Sequence, residues 1–215
     1  MRRDLTASIV AAVAFTVLFG LAYPLLTTGV AQLLFPSQSD GSRIERDGEV
    51  VGSKLIGQGF SKSTPIPEDE RGKFGKKATK EPDPSYFQSR PSVTGYSGNV
   101  TFFNNLGPNN KELSQLFAGY LESYLELEGE FTPGLDEGDV PVDAVTTSGS
   151  GVDPHISVAN ARIQANRVAE VRGIPLDRVN ELIDDNTAGR GLGVFGEPGV
   201  NVLELNLDID QEENG

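Results

Sequence analysis

The sequence predicts a single N-terminal transmembrane α-helix followed by a soluble α/β (α+β) domain outside the cytoplasm. Three observations lead there. Leu5–Phe35 contains no charged side chain; a helix rises about 1.5 Å per residue, so about 20 apolar residues cross a hydrocarbon core of roughly 30 Å, and this run crosses with length to spare. Beyond it the chain turns polar and acidic, and helical and extended patterns mix without a regular βαβ repeat. There is no cysteine, which excludes disulfides, thiolate metal sites and a cysteine lipid anchor, so the outer domain depends on a hydrophobic core.

The elements follow in order. Residues 1–6 form a short cytoplasmic N-terminus carrying Arg2 and Arg3, and the next cation is Arg43. Basic residues stay on the cytoplasmic side, which points the large domain outward. Residues 7–35 are the transmembrane helix. A cleaved signal peptide would have an apolar run of about 7–15 residues ending at small residues, and Tyr23-Pro24-Leu25-Leu26 offers no such site. Residues 36–60 read as a linker punctuated by Gly41, Gly48 and Gly52, with a first strand at Glu49–Ser53. Residues 61–85 read as a loop-like charged insertion: Pro65, Pro67, Pro82 and Pro84 surround a mixed-charge run. Its Lys73, Lys76 and Lys77 suit a solvated surface better than an anion site.

Residues 86–215 complete the domain. Leu113, Leu116, Phe117, Tyr120, Leu121, Tyr124 and Leu125 form one apolar stripe at helical spacing. It predicts a core-packed helix over 111–131, capped by Asn109 or Asn110 and ended by Pro133-Gly134. Val142–Thr147 is expected as a strand. A helix over 157–172 has a small-residue face of Ala161, Ala165, Val168, Ala169 and Val171 and stops at Gly173. Gln164 and Arg167, one turn apart, are expected on a solvated face. Pro175 suits the first turn of a third helix that buries Val179, Leu182 and Ile183. Leu203, Leu205, Leu207 and Ile209 alternate with polar residues, the period of a half-buried strand.

Lys plus Arg number 18 against 31 Asp plus Glu, a net charge of −13. Most of the surplus lies after Lys111. Such a field repels nucleic acid and anionic lipid, so neither is an expected partner. The acidic surface suits a salt-rich environment better than steering of cations, because molar salt screens charge within about 3 Å.

Familiar site chemistry is missing. Gly75-Lys76 lacks the first glycine of a phosphate loop, and Gly191, Gly193 and Gly196 spell GxGxxG but run into Glu197-Pro198-Gly199 instead of a helix. Ser148 or Ser150 with the only histidine, His155, and Asp143 or Asp153 would suit a membrane-anchored hydrolase acting alone, yet no GxSxG elbow frames the serine. Asn99-Val100-Thr101 matches a glycosylation acceptor.

What stands out is a set of loop strings: Leu55-Ile56-Gly57-Gln58-Gly59-Phe60, Tyr86-Phe87-Gln88-Ser89-Arg90-Pro91-Ser92, Asn105-Leu106-Gly107-Pro108-Asn109, the run 141–157 around Ser148-Gly149-Ser150-Gly151-Val152-Asp153-Pro154-His155, and Pro198–Leu207. With Tyr23-Pro24-Leu25-Leu26-Thr27-Thr28 in the membrane helix, they closely resemble the C subunit of the Kdp potassium-transporting ATPase, in order, from the helix to about Asp208. The long insertion and the acidic surplus depart from the family and suggest a salt-adapted source.

The resemblance implies a complex in which an A subunit selects potassium, a P-type B subunit hydrolyses ATP, and a small F subunit takes part. The C subunit is a non-catalytic single-span companion that assembles or stabilises the complex and has been proposed to assist ATP binding. ATP, Mg and K+ then belong to the complex, with no cofactor or metal on this chain, which lacks the DKTGT phosphorylation sequence. Partner contacts are expected at Tyr23–Thr28, with Ala11, Ala12 and Ala14 permitting close helix approach. Tyr86, Phe87, Arg90, Pro91 and Ser92, together with Asn105, Gly107, Pro108 and Asn109, are candidates for loops over the potassium entrance. A tight turn fixed by Pro91 is the alternative. Gln58 and Ser148, Gly149, Ser150, Gly151 and Asp153 are further interface candidates, or simply a turn before the next helix.

Overall fold

The computed structural model describes residues 2–64, 79–97 and 105–213; Lys73, Lys76, Lys77 and Asn99 lie outside them. The chain divides into two units, Met1–Ser53 and Lys54–Gly215.

The first unit is a helix with a short hairpin. α1 (Arg2–Val17) passes through a π-helical turn, Leu18–Ala22, into α2 (Tyr23–Leu34), and α3 (Pro36–Ser39) follows. Together Arg2–Leu34 is long and apolar enough to cross a membrane. The π-turn has a local cause. Pro24 lacks an N–H and its ring crowds the carbonyl one turn back, and the wider turn, closed by the Tyr23 N–H on Leu18 O, accommodates it. β1 (Arg43–Arg46) and β2 (Glu49–Ser53) then pair antiparallel. Only β2 was expected. The signal for its partner is Asp47-Gly48, both left-handed at φ 53° and 81°, the two-residue turn that strand twist favours.

In the second unit, β3 (Ser61–Thr64) pairs antiparallel with β4 (Thr79–Pro82). The ends of the expected loop insertion are therefore strands. α4 (Lys111–Glu128) starts where Asn110 Oδ1 accepts from Glu112 N at 2.8 Å. Its apolar stripe is half-buried throughout, and the only fully buried residue of the helix is Glu128. Val142–Val145 is a short helix, α5, instead of a strand. Thr146 Oγ1 donates back to Val142 O at 2.7 Å and closes that turn.

β5 (His155–Ser157) leads directly into α6 (Val158–Arg172), whose N-cap Ser157 accepts from Asn160 N. Gly173 at φ 68° ends α6, and Ile174 N returns to Ala169 O at 3.0 Å. α7 is Leu176–Asp185, with Pro175 one residue earlier than expected, as its N-cap. β6 (Thr187–Ala188) and β7 (Gly199–Asn201) complete a three-stranded antiparallel sheet of order β5-β7-β6.

The C-terminal segment is a helix, α8 (Val202–Glu213), and the expected strand is wrong. Its buried set is Val202, Leu203, Leu205, Asn206 and Ile209, and 202, 205, 206 and 209 share one helical face. Asn206 misled the period-two pattern because it is polar yet belongs to the core. Asn201 caps the helix by accepting from Glu204 N at 3.2 Å. α6, α7, α8 and the sheet enclose one hydrophobic cluster that includes Phe87, Ile156, Val168, Ile183, Leu205 and Ile209.

Candidate functional site

Three of the strings singled out in the sequence, 55–60, 86–92 and 148–155, come together as interlocked loops on that core. Gly57 N donates to Val152 O at 2.8 Å, Ser89 Oγ to Gln58 O at 2.9 Å, and Ser148 N to Pro91 O at 2.9 Å. Ser92 and Thr94 both reach Gly151 O, at 2.6 and 3.1 Å, while the Tyr96 hydroxyl bonds the carbonyl of Arg90. Gly57 is required by close approach: a Cβ there would lie 2.6 Å from Asp153 O and 2.8 Å from the Tyr96 ring. Gly151 sits at φ 75° with Thr94 Oγ1 2.9 Å from where its Cβ would be.

Arg90 spans the cluster from within. Its Nη1 meets Asp153 Oδ2 at 3.4 Å and its Nη2 meets Thr146 Oγ1 at 3.3 Å, while Nε is buried without an acceptor among the described residues. The guanidinium thus has partners inside the domain, and its side chain stays 24% exposed. Hydrogen bonding from His155, reinforced by the Arg90 charge and opposed by partial burial, holds the Asp153 carboxyl below the ordinary carboxylate range. A depressed carboxyl contributes stability above its unfolded pKa, about 3.9, and loses it as pH falls through the folded value. Thermal melts between pH 5 and pH 3 should therefore show a steep acid loss in the native chain and a shallower one in Asp153→Asn; equal slopes would remove Asp153 from this role.

The fourth string joins at the edge. Asn105 and Leu106, with Val93, Leu113, Thr147, Ser148 and Gly149, line a cleft of about 440 Å³. Gly107, Pro108 and Asn109 are exposed in the turn leading to α4, as are Gly149 and Ser150.

Beneath the loops lies a polar hub that the sequence reading missed. Arg167 and Glu128 are both fully buried, with Arg167 Nε 3.0 and 3.1 Å from the two carboxylate oxygens. Arg167 Nη1 donates to the carbonyls of Pro84 and Tyr86, and Nη2 to Gln164 Oε1, with Glu128 Oε1 3.0 Å away in the ion pair. Every guanidinium nitrogen therefore has an acceptor, the condition under which a buried ion pair is tolerated. Burial pushes the Glu128 carboxyl upward, with Arg167 opposing.

Gln164 brackets the backbone of Gln88, accepting its N–H at 2.6 Å and donating to its carbonyl at 3.1 Å. Asn206 does the same for Phe87 at 2.8 and 3.0 Å. Asn160 links the hub outward to the Tyr124 hydroxyl and to Asp143. Gln164 and Arg167 thus stand at 1% and 0% exposure, not on a solvated face. The overlooked signal is their phase, since 160, 164 and 167 keep step with the core positions Ala161, Ala165 and Val168.

Other candidates sit differently. Phe87 is wholly buried in the core and cannot anchor a partner by surface contact. Tyr86 is half-buried under the Arg172 guanidinium, 4.5 Å from its ring centroid, and beside Phe60. Thr27 Oγ1 bonds back to Tyr23 O and Pro24 O, both at 3.0 Å, while Tyr23, Leu25 and Leu26 remain exposed on the apolar helix.

The serine–histidine reading finds no presented nucleophile at Ser148. Ser148 is 2% exposed, and its hydroxyl accepts from the N–H groups of Gly151 and Asp153 and pairs with Ser150 Oγ. It is a turn-closing group, not a presented nucleophile. The arrangement offers a rigid, shaped loop surface.

A family model described as the K+-transporting ATPase c chain matches residues 5–211. The chain is 44% identical over 213 residues to a potassium-transporting ATPase KdpC subunit of Rhodospirillum rubrum, covering 98% of this chain and 97% of that protein. The KdpC subunit of Mycobacterium tuberculosis is 42% identical over 213 residues, at 98% and 100% coverage. That of Caldanaerobacter subterraneus is 40% identical over 212 residues, at 99% and 97%. Apolar helix, loop cluster and buried hub all fall within the matched range, and the chain belongs to the KdpC family, the c chains of K+-transporting ATPases.

Proposed function

We propose that this chain is the single-span accessory subunit of an ATP-driven potassium uptake complex, and that it stabilises the association of a potassium-selective A subunit with an ATP-hydrolysing B subunit, alongside a small F subunit. The observation that carries the reading is the family match across helix and outer domain together. In this reading Arg2 and Arg3 keep the N-terminus in the cytoplasm, the apolar helix lies in the cell membrane, and the domain stands outside. Tyr23–Leu26 packs the helix on the A subunit, where neighbouring helices compensate for the bond that Pro24 lacks.

The loop cluster supplies the outer docking surface. Exposed Gly107–Asn109, Gly149 and Ser150 touch the partner, while Arg90, Asp153 and Ser148 fix the shape that is touched. ATP, Mg and K+ are bound by the partner chains. An outer domain lies across the membrane from cytoplasmic ATP, so any influence on nucleotide affinity is a coupling passed through the partners.

The test is extraction of the full-length protein in mild detergent from its own membranes, followed by identification of what copurifies. The expected result is recovery of the A and B subunits, with loss of potassium-stimulated ATP hydrolysis when this chain is deleted. Recovery of the chain alone, with pump activity intact in its absence, would sink the proposal.

A further inference from the structure

The loop surface has two exposed parts carried by different helices. Gly107–Asn109 leads into α4, and Gly149 and Ser150 follow α5. Leu106 and Leu113 from the first part and Thr147 and Gly149 from the second line the same cleft, so the rim is open between them.

α4 is tied at one end. Among the described residues, the side chains of α4 that bond beyond the helix and its cap are Tyr124 and Glu128, one turn apart near the C-terminus. The exposed turn before Asn110 lies about 20 Å away along the helix. Glu128 pins the end of this arm to Arg167. The Tyr124 hydroxyl, donating to Asn160 Oδ1 at 2.9 Å, fixes its swing about that pin.

Asn160 also holds the other part. Its Nδ2 donates at 3.0 Å to Asp143 Oδ2, on α5, which accepts from Ser157 N at 2.8 Å as well. Gln164 Nε2 donates to Asn160 Oδ1 at 2.9 Å and also to the Gln88 carbonyl. One buried side chain thus joins α4, α5 and the 86–92 string. An amide suits the junction, because it accepts from a hydroxyl at one end and donates to a carboxylate at the other. Buried polar networks of this kind rigidify what they join.

We propose that Asn160 is the positioning residue of the docking surface: it sets the spacing between Gly107–Asn109 and Gly149–Ser150, and through that spacing the fit to the partner subunit. This rests on the reading that the loop cluster docks a partner.

The chain contains no cysteine, so Asn109→Cys with Gly149→Cys takes a single pair of spin labels, whose separation is read by double electron–electron resonance on the full-length chain in detergent. Glu170→Cys with Asp185→Cys, both exposed, on α6 and α7, is the reference pair. In Asn160→Asp the 109–149 distribution should roughly double in width, because two carboxylates then oppose each other at Asp143, while the 170–185 distribution stays narrow. Adding Asp143→Asn should restore the width. Tyr124→Phe deletes one hydroxyl and should broaden 109–149 alone. Without labels, it should recover partner subunits about fivefold less well, the worth of one hydrogen bond. An unchanged 109–149 distribution in Tyr124→Phe, broadening of both pairs together, or broadened spacing with full partner recovery overturns the proposal. A native chain that recovers no partner refutes the docking reading itself, independently of the spacing.

Discussion

Replacing Arg167 with methionine is expected to cost the outer domain about 3–5 kcal/mol, because breaking a buried pair from one side leaves an uncompensated charge. Domains of this size have roughly 5–15 kcal/mol in total, so the urea midpoint of the detergent-solubilised chain should fall severely. The loss has several parts. Glu128 loses its counter-ion, Gln164 Oε1 and the Tyr86 carbonyl each lose one of two donors, and the Pro84 carbonyl loses the donor it has.

The deficit should depend on pH in a definite direction. Burial already raises the Glu128 carboxyl, and Arg167 is what opposes it. Without the arginine, the folded state binds a proton more readily than the unfolded chain does. Stability of the variant therefore rises as pH falls from neutrality towards the unfolded carboxyl pKa of about 4.3. Glu128→Gln combined with Arg167→Met should recover much of the loss, since removing both charges is far less costly than removing one. An Arg167→Met chain with a native midpoint would mean the hub does not hold the domain together.

Gly57→Ala is expected to cost about 1–3 kcal/mol by overpacking, and to reduce the yield of copurified partners further than that stability loss accounts for. The added methyl would meet a backbone carbonyl, Asp153 O at 2.6 Å, and a ring held by its own hydroxyl bond. Neither can swing aside without separating the 55–60 string from the 148–155 string. Gly189→Ala is the matched control, because nothing among the described residues lies within 4 Å of its Cβ and it lies outside the proposed docking surface; its stability should stay within about 0.5 kcal/mol of native. Partner recovery unchanged by Gly57→Ala would show that the interlock serves folding alone.

Much of the architecture was legible because it follows from period and punctuation. The apolar run, the stripe of α4, the span of α6, the Gly173 stop and the buried face of α7 all stand in the sequence and recur in the structure. The misreadings of α6 and α8 share one cause. Asn160, Gln164, Arg167 and Asn206 are polar side chains inside the core, and a reading that equates polar with exposed turns the α6 face outward and makes a strand of α8. The 142–147 segment failed differently, because so short a segment is too little for periodicity to separate helix from strand. For the site, the resemblance picked out the loop strings, but their mutual contacts join residues as far apart as Gly57 and Val152, and no local pattern encodes such pairing.

The clamping of Pro84–Gln88 by side chains has an evolutionary consequence. A strand is ordinarily held by a neighbouring strand, so lengthening the chain on one side disturbs the register of the other. Here Arg167, Gln164 and Asn206 grip individual peptide groups of the segment immediately after β4. Whatever is inserted between β3 and β4 can grow or shrink, since the chain is seized again at a fixed point before it re-enters the core. A change of length between β3 and β4 should therefore leave the contacts of the loops that follow intact.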